Sequence, residues 1–266
     1  MRSRLGLRAV ALGYLALLLL LPVGLVLYRT FEHGIAAPLD SLTSSDGAHA
    51  FWLTLEITAI AVVCNTVFGV ITALLLARKR FPGRAFLSGL VDLPLAVSPV
   101  VVGLALLLVY GRTGWFGSWL ADHGIRVIFS LPGMVLATIF VSLPFVVRET
   151  VPVLEELGTD QEEAASTLGA SSWQTFWRVT LPAIRWGVGY GVVLTTARAL
   201  GEFGAVSIVS GRLVGQTETL TLRVQNEFDR FDLTGAYAAS ALLAVMAISV
   251  LLLMTALERR RRRTAT

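Results

Sequence analysis

Cysteine, histidine and lysine are almost absent: one, three and one among 266 residues, and only 15% of the chain is charged. A lone cysteine, Cys64, allows no internal disulfide and no zinc-ligand spacing. Lying in an apolar run, it reads as a small buried apolar side chain. His33, His49 and His123 are scattered without metal-ligand spacing and read as loop residues. The single lysine, Lys79, follows Arg78 in an arginine-rich turn, so the Gly-Lys step of a phosphate-cradling P-loop is missing. Hydrolysis needs a nucleophile with a base or a metal site, and no histidine falls in an apolar run, which argues against an enzyme within the apolar part. There is no repeat at solenoid periods, no low-complexity linker beyond a short arginine tail, and no stretch that suits a separate soluble domain.

What the chain has instead is apolar length. Hydrophobic residues make up 55% of it and its mean hydropathy is +0.72, more than a soluble domain needs to fill a core. The apolar residues come in runs near the ~20 needed to cross a bilayer. An all-α membrane protein with six transmembrane helices is therefore expected, forming one domain over residues 1–266. The spans lie roughly at 9–28, 51–77, 86–110, 127–147, 186–210 and 235–257. The first follows basic residues like a signal peptide, but its apolar stretch is long and no small-residue cleavage site follows, so it reads as an uncleaved span.

Positive charge gathers beside these runs: Arg2, Arg4 and Arg8, then Arg78, Lys79, Arg80 and Arg84, then Arg259 to Arg263. This is the positive-inside pattern and not a nucleic-acid patch, and with an even number of spans it puts both termini in the cytoplasm. Trp52, Tyr110, Trp115, Trp186 and Tyr237 fall near the expected interfaces.

The long loop, residues 148–185, has signals of its own. Thr159 is expected to cap a helix with Glu162 as its capping-box partner, and Asp160, Glu162 and Glu163 suit the first turn. Gly169 suits a left-handed C-terminal cap. Ser171 with Gln174 opens a second helix that Pro182 is expected to close. Trp173, Phe176 and Trp177 share one face of it. Such a face either docks another protein or folds back onto the bundle.

The residues then become specific. Glu163-Ala164-Ala165, three residues, Gly169, nine residues, then Val179-Thr180-Leu181-Pro182 resembles the EAA loop of ABC importer permeases, with Val179 where isoleucine is usual. The resemblance implies a type I importer permease fold of the MetI-like kind, with this loop seated in a groove of a separate ATPase subunit. Its coupling residues would be Glu163, Ala164, Ala165, Gly169, Val179, Leu181 and Pro182, joined by Trp173 of the aromatic face. Residues 93–101 (LPLAVSPVV), 144–149 (PFVVRE), 198–206 (RALGEFGAV), 215–222 (GQTETLTL) and 225–232 (QNEFDRFD) are similar to sulfate-type permeases. They look most like the W-type subunit of sulfate/thiosulfate importers. The GEFGA core is shared with molybdate permeases, so molybdate or tungstate stays open as cargo.

The resemblance further implies a T-type second permease subunit, two ATPase copies holding ATP and Mg2+, and a periplasmic or lipid-anchored sulfate-binding protein, all at the bacterial inner membrane. No cofactor is expected on this chain. The energetics agree: a divalent anion entering a negative cell works against about 4.6 kcal/mol per 100 mV, so a passive channel would leak it outward. A secondary transporter, the competing class, would need inverted repeats with broken helices, and no such repeat is visible.

Within the spans, Arg198 and Glu202 stand at i and i+4, either bordering an anion path or pairing to fix packing. Asp92, Ser98 and Pro99 mark the third span, where Pro94 and Pro99 can kink the helix. Asp92 is either part of a gate or paired with an arginine.

Overall fold

The computed structural model describes residues 2–32 and 34–264; His33 lies outside them, as do the side chains of Arg2, Arg4 and Arg259 to Arg263. Every regular element among the described residues is helical. The chain opens with α1 (Arg2–Leu15), a π-turn at Ala16–Leu20 and α2 (Leu21–Phe31), then α3 (Ala36–Thr43) and the long α4 (Ser45–Arg78). Next come α5 (Arg84–Ala96), α6 (Pro99–Tyr110), α7 (Gly117–Asp122) and α8 (Leu131–Leu157). The long loop holds α9 (Asp160–Thr167), α10 (Ser172–Thr175) and a second π-turn at Phe176–Thr180. The chain ends with α11 (Leu181–Leu200), α12 (Val206–Val209), α13 (Leu220–Asp229) and α14 (Leu233–Thr264).

Among the described residues four segments are long and apolar enough to cross a membrane: Val10–Phe31, Ser45–Arg78, Leu131–Leu157 and Leu233–Ala256. The expected third span, 86–110, is not one rod. It breaks between α5 and α6 with a bend of 111°, because Pro99 starts a new helix and Val97 and Ser98 take extended backbone angles. The expected fifth span stops at Leu200 instead of running to 210. Arg185, Arg198 and several glycines also keep α11 below the hydropathy of the other four; it sits instead in the bundle interior against α4, α8 and α14. The fourth expected span starts at Leu131 and continues ten residues beyond 147 to Leu157, shortening the loop from its near side.

Two clusters of buried side chains fix the directions of the rods. At one end Leu53 and Ile57 of α4 meet Val102 of α6, Met134 and Val135 of α8, and Val206 and Val209 of α12. At the other, Val70, Ala73 and Leu76 of α4 meet Val91 of α5, Val146, Val147 and Leu154 of α8, and Ile184 of α11. So α4 and α8 run parallel, while α11 and α5 run against them. Midway, the fully buried Asn65 donates to the Ile139 carbonyl (3.1 Å) and to Ser142 Oγ (2.9 Å), tying α4 to α8. Thr30 Oγ1 of α2 donates to the Tyr237 carbonyl of α14 (3.1 Å).

Two local expectations also change. α4 begins at Ser45, six residues before the expected start, because Ser44 Oγ caps it by accepting from the Gly47 amide (3.1 Å). His49 is therefore helical, not in a loop, and its Nε2 lies 3.0 Å from the Gln216 carbonyl. Cys64 is half-exposed on α4, not buried.

Candidate coupling and translocation sites

Gly158, with a positive φ of 64°, ends α8 and turns the chain into the loop. α9 ends at Gly169, whose φ of +83° is the left-handed conformation that glycine adopts freely. The Gly169 amide donates to the Ser166 carbonyl (2.9 Å) and the Ala170 amide to the Ala165 carbonyl (3.0 Å), a complete Schellman cap. Ser171 and Gln174 form the expected capping box: the Gln174 amide donates to Ser171 Oγ (3.3 Å) and the Ser171 amide to Gln174 Oε1 (2.9 Å).

The other expected box does not form. Thr159 adopts helical backbone angles and its hydroxyl donates to Glu163 Oε1 (2.7 Å). Glu162 turns away to meet Arg78 at the end of α4, taking Nε on Oε2 (3.0 Å) and Nη2 on Oε1 (3.3 Å). Thr180 Oγ1 donates to the same Oε1 (2.9 Å). Pro182 does not close the second helix either. It lies in the first turn of α11, and α10, the π-turn and α11 form one continuous helical run. A proline ring collides with the carbonyl four residues back. The wider turn, in which the Leu181 amide donates to the Phe176 carbonyl, accommodates it. The same device precedes Pro22, where the Leu21 amide donates to the Ala16 carbonyl.

The loop offers an aromatic face. Trp173 and Trp177 stack edge-on at 5.5 Å between centroids, and Phe176 meets Trp177 at 5.2 Å. Trp173 is 69% exposed, whereas Phe176 packs onto the core cluster beneath. Leu168, beside the Gly169 turn, is 89% exposed. Glu163, Ala164, Gly169 and Pro182 are exposed, Ala165 and Val179 are half-buried, and Leu181 packs against the core. The fold-back alternative is thus partly realised, because the helix is anchored through Phe176 and Leu181, while its tryptophans face outward. A groove of about 670 Å³ separates the loop from α4, with Leu75, Lys79, Glu163 and Phe176 among its walls.

At the opposite end, Arg198 and Glu202 form an ion pair (Nη1 to Oε2, 2.7 Å) in which Glu202 is almost wholly buried and Arg198 is 31% exposed. Neither lies mid-helix. Arg198 is in the last turn of α11, and Glu202 sits past its end, accepting from the Ala205 amide (2.9 Å). Gly204 brings the break in the third segment to this point: a Cβ there would lie 2.9 Å from Pro99 Cβ. Ser98, Pro99, Arg198 and Glu202 therefore border one place in the fold. Asp92 is elsewhere, towards the loop end, paired with Arg148 through Nε to Oδ1 (2.6 Å) and a second, shorter Nη2 contact to Oδ2. Arg148 Nη2 also reaches Ser88 Oγ (3.0 Å). This is the arginine-paired alternative for Asp92.

Reading the sequence alone missed three groups. Arg78 was read only for topology and Glu162 only as a capping partner; the signal was a basic residue ending one span and a carboxylate opening the loop. Asn65 is a polar residue inside an apolar run, itself a flag. Glu218 and Glu227 stand out in the sequence only as members of the 215–222 and 225–232 segments and Arg223 not at all, yet Arg223 is buried between the two carboxylates (3.5 and 3.1 Å). Among the described residues no group of three or more His, Cys, Asp or Glu could hold a metal ion.

Parallel and antiparallel rods, a bent pair between them and a capped helical loop at one end make up a transporter permease fold. A bacterial alginate ABC transporter, solved in complex with an alginate-pentasaccharide-bound periplasmic protein, has a chain of this fold with a TM-score of 0.77. The match covers 97% of this chain and 94% of that one, at 17% identity. The family model described as binding-protein-dependent transport system inner membrane component matches residues 65–263, and the chain belongs to that family. It is 52% identical over 252 residues to the sulfate transport system permease protein CysW of Synechocystis sp., covering 95% of this chain and 91% of that protein. It is 39% identical over 245 residues to the sulfate transport system permease protein CysT of Escherichia coli K12, covering 92% and 88%.

Proposed function

We propose that the chain is the W-type permease subunit of an ATP-driven sulfate and thiosulfate importer in the bacterial inner membrane. The observation that carries this is the 52% identity to a sulfate permease along 95% of the chain, against 39% to the T-type protein. In this reading the chain is one permease domain whose six helical segments all cross the membrane, with both termini and the 158–182 loop in the cytoplasm. The bent α5–α6 pair counts as one crossing: Arg84 meets Glu155 at the C-terminal end of α8 (3.0 Å), while Val102 packs with Met134 near its start. The start of α5 and the break before α6 therefore lie at opposite ends of α8.

The complex pairs this chain with a T-type permease, two copies of an ATPase that bind ATP and Mg2+, and a periplasmic or lipid-anchored sulfate-binding protein. The chain itself does no catalysis and binds no cofactor. The ATPase seats on the surface around Glu163, Ala164, Ala165, Gly169 and Trp173, with Val179, Leu181 and Pro182 passing its movement into α11. Small residues there admit a close approach, and an exposed tryptophan is a favoured anchor at interfaces. ATP-driven closure of the ATPase pair tilts the rods and opens the path to the outside. The junction of Ser98, Pro99, Arg198 and Glu202 lies at the far end, where Arg198 is placed to meet an arriving anion. Its charge is partly neutralised by Glu202, which suits a site that must let the anion pass instead of holding it.

The test is uptake of labelled sulfate by the reconstituted complex in competition with thiosulfate, molybdate and tungstate. Sulfate uptake should need ATP hydrolysis, and thiosulfate should compete far better than the two metal oxyanions. Preferential competition by molybdate would move the cargo to the other branch. Uptake that persists with the ATPase inactivated would replace the importer by a channel or secondary transporter.

A further inference from the structure

We infer that Arg78 is a positioning residue that couples the ATPase-docking loop to the bundle, through a four-way junction with Glu162, the C-terminal end of α8 and Thr180; the inference rests on the docking reading above. α9 buries none of its eight residues, so hydrophobic packing does little to hold it. What ties it down is polar. The Arg78 guanidinium donates Nε and Nη2 to Glu162 (3.0 and 3.3 Å) and Nη1 to the Leu154 carbonyl (2.7 Å). That carbonyl is one of the last four of α8, which lack partners within their own helix, and a cation there also suits the helix dipole. Glu162 accepts in addition from Thr180, in the π-turn that leads into α11.

One side chain thus joins the end of α4, the end of α8, the docking helix and the root of α11. Arg78 and Glu162 are only 14% and 23% exposed, so water weakens the pair less than a surface pair. The planar guanidinium fork makes this geometry, and a lysine at the same place could not. A push on α9 reaches three rods at once through these bonds. Without them α9 would hang by its two turns, and ATP would be spent without moving the bundle.

The test uses the assembled complex with Arg78→Gln, Glu162→Gln, the double variant and Thr180→Val. Two quantities are read: hydrogen exchange of the α9 amides, and ATP hydrolysed per sulfate imported. Arg78→Gln and Glu162→Gln should each speed exchange in α9, leave α13 unchanged, and raise the ATP cost per sulfate by about threefold or more. The double variant should cost less than the sum of the two singles, because both cut the shared Arg78–Glu162 contact, and Thr180→Val should give a smaller change in the same direction. Exchange rates equal to wild type overturn the proposal, as does faster exchange with an unchanged ATP ratio, or effects that simply add. If Arg78→Gln fails to assemble, Glu162→Gln and Thr180→Val carry the test, since both keep the Arg78 cap on α8. A wild-type complex that imports no sulfate sinks the cargo reading instead, and the exchange measurement still judges the junction.

Discussion

α9 and α13 are short helices of similar polarity at opposite ends of the bundle, yet α9 buries no residue while α13 buries Leu220, Leu222, Arg223 and Glu227. α9 is tied by a few charged and hydroxyl side chains and leaves Glu163, Ala164 and Leu168 facing outward. α13 is folded into the core: the Leu220 amide donates to Thr54 Oγ1 of α4 (2.9 Å), and Thr221 Oγ1 donates to the Glu202 carbonyl (2.8 Å). A segment that must hand its surface to another protein cannot bury that surface against its own chain. A segment that braces the place where two rods break has no such restriction. The two helices therefore should fail differently when their polar contacts are cut.

The largest effect is expected at Arg223. Its guanidinium is 7% exposed between Glu218 and Glu227, themselves 2% and 11% exposed. Arg223→Ala strands two carboxylates in the core, and breaking a buried ion pair from one side costs about 3–5 kcal/mol. The thermal unfolding midpoint of the detergent-purified subunit should fall by on the order of 10 °C. A midpoint within about 2 °C of wild type would mean that water reaches this cluster, and that the contrast between the two ends is one of degree only.

A smaller loss is expected where the broken rods touch. Gly204 admits Pro99 so closely that an added Cβ would lie 2.9 Å from the proline Cβ. Gly204→Val overpacks that contact, at about 1–3 kcal/mol, and pushes the start of α6 away from the Arg198–Glu202 pair. Unfolding should shift by a few degrees, and sulfate uptake should fall further than stability does. If the two fall in proportion, the junction is a packing point and not part of the path.

These contrasts also separate what the sequence could say from what it could not. Gly169 and the Ser171–Gln174 box were readable because their partners lie within five residues, as were the long apolar rods. Thr159–Glu162 was read by the same local rule and failed, because Arg78, 84 positions away, offers Glu162 a charged partner. The kink at Pro99 was visible, but not the 111° turn; its size depends on Gly204 and Ala205 arriving from the other side of the chain. The burial of the charges at 218–227 was not readable, because a run of polar residues carries no sign of what will cover it.

The smallest effect on the fold is expected at Trp173, and there the comparison is most easily broken. Its ring is 69% exposed and, among the described residues, makes ring contacts with Phe176 and Trp177 of its own turn alone. Trp173→Ala should therefore leave the unfolding midpoint of the isolated subunit nearly unchanged, within about 0.5 kcal/mol. Exposed aromatics that fill a partner's pocket behave otherwise: truncating one costs about 2 kcal/mol or more of binding, roughly thirtyfold in affinity. Titrating the ATPase onto the subunit in detergent reads this directly. A thirtyfold loss with an unmoved midpoint fits a surface kept free for a partner. A lowered midpoint with unchanged ATPase affinity would mean that the tryptophan packs on its own bundle. The loop end would then be built on the same principle as the far end, with the docking contact carried by Glu163 and the alanines alone.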